Sequence, residues 1–299
     1  MHEFAPILAS LISSISRAGL NVVDRRQFKD NGICPVAISH WNNLFPVLMI
    51  MPMVLLSPAS RIFVEIFFTL EIIFLSFLIQ CVAHAFSMAF RSFRVSDIAV
   101  LSKIADITVP LILLLFGFQL IPYELFLLMP VAIALFIFCA GGGAVIRDCK
   151  APLVLVFALT IQGVFAFFIG INPFLGIGIW GLLSTTCAML LWRLIFSGLL
   201  LLFKGPKWAI YKFPQNSISC KKFYFRGLLT LITQISFVFA IESNNLMKVW
   251  PLLNATGLFS AVFASVFLSE RLSVKDAVYV ALSSCMGLIL IFSSNNEKF

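Results

Sequence analysis

The chain has 299 residues, of which 61% are hydrophobic and only 11% are charged, and its net charge is +8. Soluble domains carry about 25% charged residues, so this composition excludes a soluble globular protein and predicts an all-α protein that crosses the bilayer several times. The basic residues lie in short clusters between apolar segments, as in membrane loops, and we therefore expect no nucleic-acid partner.

Ten segments are long and apolar enough to cross a membrane, which takes about 20 residues of helix. In chain order the predicted spans are residues 5–23, 34–56, 63–90, 96–118, 122–143, 151–171, 177–203, 224–241, 244–268 and 274–293. Most are separated by short turns that carry Pro, Gly, Ser or charge. The prediction is therefore a polytopic protein of about ten transmembrane helices.

The sequence also repeats itself weakly at an offset of 146 residues. This offset aligns Ala5 with Ala151, Pro6 with Pro152, Glu124 with Glu270 and Gly141 with Gly287; a slip of one residue aligns Lys103 with Lys248. Two halves with an odd number of spans each have opposite orientations in the membrane. We therefore predict two inverted five-helix repeats, residues 1–146 and 147–299.

The carboxyl-terminal part carries a recognisable pattern. A helix that contains Pro251 is followed by the turn Leu268-Ser269-Glu270-Arg271-Leu272-Ser273 and by a last helix with Gly287 near its end. This pattern resembles the EamA family of the drug/metabolite transporter superfamily. The first half is similar through Pro110 and Tyr123-Glu124-Leu125, but it lacks the Arg-Leu-Ser continuation.

The resemblance implies a ten-helix carrier with a substrate cavity between inverted halves and with cytoplasmic termini. Members of the family move amino acids, drugs, sugars, nucleotide-linked metabolites or S-adenosylmethionine. The charge pattern favours the other orientation, because the loops after even-numbered spans and the carboxyl tail hold only Arg61 and Lys298 as basic residues. Both orientations stay open at this point.

Ionisable residues within spans are the main candidates for function, since each costs about 2.5–3.5 kcal/mol to insert. We take six of them as candidates: Arg17, Lys103, Arg193, Lys248, Glu71 and Asp106. Basic residues outnumber acidic ones, which favours an anionic or zwitterionic solute.

Lys103 and Asp106 are three residues apart and share a helix face shortly before Pro110, where a lost backbone bond would kink the span. They are either solute-binding residues at a hinge or a structural ion pair. Lys248 is the expected symmetry mate of Lys103, although its place near a helix end also lets its side chain reach the membrane surface.

Polar side chains follow one face of the first span, where Arg17 and Asn21 are four residues apart and Asp24 comes one turn later. Asn42 lies in a similar cluster with His40, Trp41 and Asn43 in the second span. These groups either bind the substrate or join helices by hydrogen bonds. We include Arg17, Asn21 and Asn42 among the predicted substrate-binding residues.

Glu71 and His84 are the candidates for proton coupling, because a buried carboxylate and an imidazole can both titrate near neutral pH. Trp192 and Arg193 can stack on or pair with a charged solute, or Arg193 can pair with Glu71. Glu124 lies in the first turn of the predicted span 122–143 and Glu270 precedes the span 274–293, so we expect both to cap backbone donors.

The favoured function is a permease for a small polar, zwitterionic or anionic metabolite, such as an amino acid or a nucleotide-like or S-adenosylmethionine-like compound. The alternatives are a polytopic membrane enzyme and a non-transporting scaffold subunit. We do not expect an enzyme, since the sequence has no H-x-x-x-x-D motif, nucleotide-binding loop or metal-ligand spacing.

We expect neither a cofactor nor a metal site, because the seven cysteines are scattered without C-x-x-C spacing. The expected partners are the solute and the lipid bilayer, and a homodimer is compatible with the sequence. The 33 Phe residues suggest an AT-rich bacterial genome and hence a multi-pass protein of a bacterial inner membrane.

Overall fold

The computed structural model describes residues 4–31, 35–117, 132–133, 150–169, 178–204, 217–241, 249, 252–253, 255–270, 274, 277–278 and 281. Within these ranges the regular secondary structure is entirely helical. The helices are α1 (Phe4–Asn31), α2 (Pro35–Leu55), α3 (Ala59–Phe67), α4 (Leu70–Ser92), α5 (Val95–Ser102), α6 (Ile104–Leu115), α7 (Lys150–Ile169), α8 (Gly178–Lys204), α9 (Ser217–Ile241) and α10 (Thr256–Phe267).

Six segments of the described chain are long and apolar enough to cross a membrane: Ala5–Gln27, Val36–Leu55, Leu70–Phe90, Val95–Leu115, Gly178–Phe203 and Lys221–Ile241. Two shorter apolar helical segments are Lys150–Ala166 and Thr256–Phe267. The protein is thus an all-α membrane protein with several spans. The predicted spans 122–143 and 274–293 lie almost entirely outside the described residues.

The third and fourth predicted spans differ from the observed helices. The segment 63–90 is not one helix, because the chain leaves helical geometry at Phe68 and Thr69 and the membrane-length helix begins at Leu70. The fourth span is interrupted at Lys103, where the backbone N–H bonds to Val100 O three residues back. Pro110 lies inside α6, so the interruption comes two turns earlier than the proline suggests.

α1 packs chiefly on α9 and α10. It runs antiparallel to α9, with Ser13 and Ser16 beside Thr233, and parallel to α10, with Asn21 beside Ser260. α2 packs on α8 and α9, while α4 packs on α7 and α8. This arrangement surrounds the middle of α1 with other helices and shields its polar face from lipid.

Close helix approach depends on a small residue in α9. A Cβ atom at Gly227 would lie 3.0 Å from Phe45 Cβ and 3.3 Å from Pro46 N, closer than most such contacts allow. Gly227 therefore lets α9 approach α2 closely enough for the polar side chains of α9 to reach the protein centre. A larger side chain at this position would push the two helices apart.

Candidate functional site

A polar cavity of about 70 Å³ lies between α1, α4, α7, α8 and α9. It is lined by Arg17, Leu20, Asn21, Asp24, Ile79, Val82, Ala83, Phe86, Gln162, Arg193, Arg226, Thr230, Thr233 and Gln234. The charged and amide groups come from four of the five helices, and α4 contributes an apolar wall. We call this space the central cavity.

The polar stripe predicted on α1 lines the central cavity. Arg17, Asn21 and Asp24 are spaced by four and three residues, which places them on one face of a helix, and all three are lining residues. Asn21 Nδ2 donates to Ser260 Oγ at 2.9 Å. The guanidinium of Arg17 lies 5.8 Å from the centre of the Phe237 ring. This face of α1 therefore contacts other helices and the cavity between them.

Arg226 on α9 binds Asp24 with two parallel hydrogen bonds. Its Nε donates to Asp24 Oδ1 at 2.9 Å and its Nη2 donates to Asp24 Oδ2 at 3.0 Å. Nη1 donates to Thr230 Oγ1 at 2.9 Å and to Asn42 O at 3.3 Å. Arg226 is only 6% exposed, so this carboxylate is its essential counter-charge.

Arg193 on α8 is also 6% exposed, but among the described residues no carboxylate forms an ion pair with it; Asp24, which lines the same cavity, interacts with it electrostatically but is hydrogen-bonded to Arg226. Its Nη1 donates to the amide oxygen of Gln234 at 3.3 Å, and within the described chain its Nε has no hydrogen-bond partner. The alternative in which Arg193 pairs with Glu71 is not observed, because Glu71 lies exposed in the first turn of α4. An arginine this buried keeps its charge and strongly attracts an anion.

The central cavity is therefore electropositive. Three guanidinium groups, those of Arg17, Arg193 and Arg226, line it together with one carboxylate, that of Asp24. Asp24 is hydrogen-bonded to Arg226, so it compensates the charge of Arg193 only in part. The direct contacts of Arg17 and Arg193 shown in the described chain are to neutral groups, the Phe237 ring and the Gln234 amide. Such a cavity favours a carboxylate or phosphate group over a cation.

Asn42 contacts the Asp24–Arg226 pair on the side away from the central cavity. Its Nδ2 donates to Gln27 Oε1 at 3.3 Å and lies 3.4 Å from Asp24 Oδ1, and its backbone oxygen accepts from Arg226. Asn42 is not among the lining residues, so the structure places it behind the Asp24–Arg226 pair. It holds that pair in place, as expected for the helix-joining role of an amide.

A second amide network joins α2, α4 and α8. Asn43 Nδ2 donates to Gln80 Oε1 at 2.9 Å, and Gln80 Nε2 donates to Ser39 Oγ at 2.8 Å. His40 Nδ1 lies 3.2 Å from Ser197 Oγ. These groups satisfy one another's hydrogen-bond donors and acceptors, so we assign them as structural contacts between helices.

The structure separates the other predicted site residues from the central cavity. Lys103 is 2% exposed at the junction of α5 and α6 and is not a described lining residue. The side chain of Asp106 and all of Lys248 lie outside the described residues, so their predicted roles stay predictions. Glu71 and His84 lie on α4 but do not belong to the described lining.

Trp192 has a structural position. Its ring stacks on Phe67 with centroids 5.0 Å apart, and its Nε1 donates to the backbone oxygen of Phe67 at 2.8 Å. These contacts fix the end of α3 against α8. The ring face of Trp192 and its Nε1, the only polar atom of the side chain, are thus occupied by Phe67 and cannot bind a solute at the same time.

Glu270 caps a helix that is distant in the sequence. Its Oε2 accepts from the backbone N–H of Val95, the first residue of α5, at 3.1 Å. Its Oε1 lies 3.6 Å from Arg25 Nε, and Arg25 Nη1 donates to Phe90 O. Glu270 thus joins the ends of α1, α4 and α10 to the start of α5. Glu124 lies outside the described residues.

Sequence reasoning missed several residues of the central cavity, above all Arg226, which lies near the start of the predicted span 224–241 and was not among the predicted site residues. A usable signal was present. Arg226, Thr230 and Gln234 recur every four residues, which is the pattern of a polar stripe on one helix face. Gln162 is an isolated amide in α7 and gives no comparable pattern.

Among the residues that the structure describes, no three His, Cys, Asp or Glu side chains come close enough to hold a metal ion. Comparison of the chain with protein-family models finds no match, and comparison with curated proteins finds no significant relative. The resemblance to the EamA family therefore stays a prediction.

Proposed function

We propose that the protein is a membrane transporter that moves a small anionic or zwitterionic metabolite by alternating access. The observation that supports this most strongly is the set of three arginines around the central cavity with a single carboxylate among them. A bacterial inner membrane is the proposed location. The proposal continues the expectation from the sequence and keeps Arg17, Asn21 and Arg193, but Arg226 takes the place of Lys103 in the site.

Charge balance argues for the class of solute. Each unbalanced cation in low dielectric costs several kcal/mol, and a bound carboxylate or phosphate removes part of that cost. Arg17 and Arg193 would bind the anionic group, while Asn21, Gln162 and Gln234 offer amide groups for its polar remainder. A solute with net positive charge, such as S-adenosylmethionine, is disfavoured relative to an amino acid or a nucleotide-like anion.

The same charges favour exchange over net transport. To reorient from one side of the membrane to the other, the empty transporter must pass through a closed state. In that state Arg17 and Arg193 are shielded from water and no anion is bound to them. A loaded cavity avoids that cost because the solute supplies the missing charge. We therefore expect the loaded protein to reorient faster than the empty one, so that one anion crosses in each direction.

The size of the central cavity indicates a contracted conformation. Its volume of about 70 Å³ corresponds to about two water molecules, whereas small-molecule sites measure about 300–1,000 Å³. Solute binding thus requires the helices that carry the arginines to separate. Movement of α8 and α9 against α1 and α4 would open the space between the two predicted halves.

The contacts between helices support the proposal of two inverted five-helix repeats. Under the offset of 146 residues, α1, α2, α4 and α5–α6 correspond to α7, α8, α9 and α10. Three contacts then occur in both halves. The packing of α1 on α9 corresponds to the packing of α4 on α7, and the packing of α1 on α10 corresponds to the packing of α6 on α7. The packing of α2 on α9 corresponds to the packing of α4 on α8. Paired contacts of this kind are expected from a pseudo-twofold axis.

Transport can be tested with the purified full chain in liposomes. Uptake of labelled amino acids, nucleotides, sugar phosphates and S-adenosylmethionine should be measured with and without unlabelled solute inside, and with and without a pH gradient. We expect saturable uptake of an anionic or zwitterionic class that is stimulated by internal solute. Absence of any uptake by folded protein would refute the proposal and favour the enzyme or scaffold alternatives.

A further inference from the structure

A second and larger cavity lies on the side of the helix bundle, between α1, α9 and α10. Its volume is about 670 Å³, within the range of small-molecule sites. Its lining is Ile12, Ile15, Ser16, Gly19, Val22, Val23, Arg26, Gln27, Lys222, Phe225, Leu229, Ile232, Phe263 and Phe267. We call it the lateral groove. It shares no lining residue with the central cavity.

The groove is apolar along most of its length. Ile12, Ile15 and Phe225 are exposed side chains, so the groove opens on the surface that faces the bilayer. From Ile12 to Arg26 it follows about 21 Å of helix α1, at 1.5 Å of rise per residue. The hydrocarbon depth of one leaflet is about 15 Å, so the groove is long enough for an acyl chain of that leaflet.

Polar groups are concentrated at one end of the groove. Arg26 and Lys222 are exposed lining residues, near the end of α1 and the start of α9. These two helix ends lie at the same level, because α1 and α9 are antiparallel and Asp24 binds Arg226. Two cationic side chains thus lie at one end of the apolar lateral groove. This arrangement is complementary to a phospholipid, in which a phosphate group lies at the end of the acyl chains.

Gln27 supplies an independent indication of a ligand at that end. It is 3% exposed and lines the groove. Its Oε1 accepts from Asn42, whereas its Nε2 has no hydrogen-bond partner within the described chain. A buried amide donor without a partner costs about 1–3 kcal/mol, and an oxygen of a bound headgroup or ester would satisfy it.

We propose that the lateral groove binds an anionic phospholipid, with one acyl chain along α1 and α9 and the phosphate beside Arg26, Lys222 and Gln27. A zwitterionic phospholipid carries a positive group next to its phosphate and so has less to gain from two basic side chains. The selectivity therefore comes from the headgroup, while the apolar lining gives affinity for any acyl chain. The site does not depend on the solute bound in the central cavity.

The experiment is native mass spectrometry of the full chain, delipidated and then mixed with equal amounts of phosphatidylglycerol and phosphatidylethanolamine. We expect the wild-type protein to retain phosphatidylglycerol preferentially. The double variant R26Q/K222Q should lose that preference by about tenfold, which corresponds to about 1.4 kcal/mol. The matched control is K221Q, since Lys221 is exposed beside Lys222 but is not a described lining residue of the groove.

A second variant tests the apolar part of the site. Ile15→Trp fills the groove below the headgroup and should reduce the retention of both lipids, while circular dichroism reports whether each variant is folded. Equal retention of the two lipids by the wild type, or an unchanged preference in R26Q/K222Q, would overturn the proposal. A shift to dimers that retain no lipid would also overturn it and would indicate a second copy as the occupant.

Discussion

The side chains of Asp24 and Arg226 form two parallel hydrogen bonds of 2.9 and 3.0 Å across the interface between α1 and α9. The two residues are far apart in the sequence and belong to the two different predicted repeats. Their pair forms one boundary of the central cavity, and it neutralises only one of the three arginines there.

Asp24→Asn should strongly destabilise the protein. The substitution removes the counter-charge of a buried arginine, and breaking a buried pair on one side costs about 3–5 kcal/mol. Thermal unfolding in detergent measures the effect. The control is Glu65→Gln, which breaks the exposed pair between Glu65 and Arg61 and should leave the melting temperature nearly unchanged. Equal melting temperatures of the two variants would contradict the assignment of Asp24 as the essential partner.

Trp192→Phe should preserve transport. Phenylalanine keeps an aromatic ring beside Phe67 and Phe196, but it loses part of the ring area and the hydrogen bond from the indole to the backbone oxygen, which is worth about 1 kcal/mol. Thermal unfolding should therefore show a small decrease in stability, while solute uptake in liposomes stays at the wild-type rate. A large loss of uptake without loss of stability would instead indicate that Trp192 contacts the solute.

Glu270→Gln should weaken the contacts that join the ends of α1, α4 and α10 to the start of α5. Glutamine has the same shape but removes the charge that Arg25 faces, and it weakens the cap on the N–H of Val95. Access to the cavity can be measured with a cysteine introduced at Leu20, a lining residue of the central cavity. In the Glu270→Gln variant we expect this cysteine to react with a water-soluble thiol reagent about fivefold faster than in the protein that retains Glu270, which corresponds to about 1 kcal/mol.

The matched control for this labelling experiment is Glu65→Gln in the same Leu20→Cys protein, because Glu65 is exposed on α3 and is not among the described lining residues of the cavity. An unchanged labelling rate in Glu270→Gln would show that the contacts of Glu270 do not restrict access to the cavity.

Local patterns predicted part of the site, and tertiary contacts decided the rest. The stripe of Arg17, Asn21 and Asp24 was predictable because the residues that share a helix face follow from helix geometry alone. Arg226 was not recognised as a site residue, because its burial depends on the close approach of α9 to α2 at Gly227. A basic residue near a predicted helix end is otherwise expected at the membrane surface.

The same distinction holds for helix ends. The break of the third predicted span at Phe68 and Thr69 lies within an apolar segment, so hydropathy alone could not locate it. Capping was correctly expected of Glu270, but the capped helix begins at Val95, which the chain brings close only through folding. Trp192 likewise stacks on a residue distant in the sequence.

The most direct test of the account is solute counterflow in liposomes with the wild-type protein, Arg193→Gln and the surface control Lys221→Gln. Glutamine removes the charge of Arg193 from the central cavity, and we expect uptake of the anionic or zwitterionic solute to fall at least tenfold while the melting temperature stays the same or rises. Lys221→Gln should transport like the wild type. Wild-type counterflow by folded Arg193→Gln would contradict the claim that the arginine cavity binds the solute.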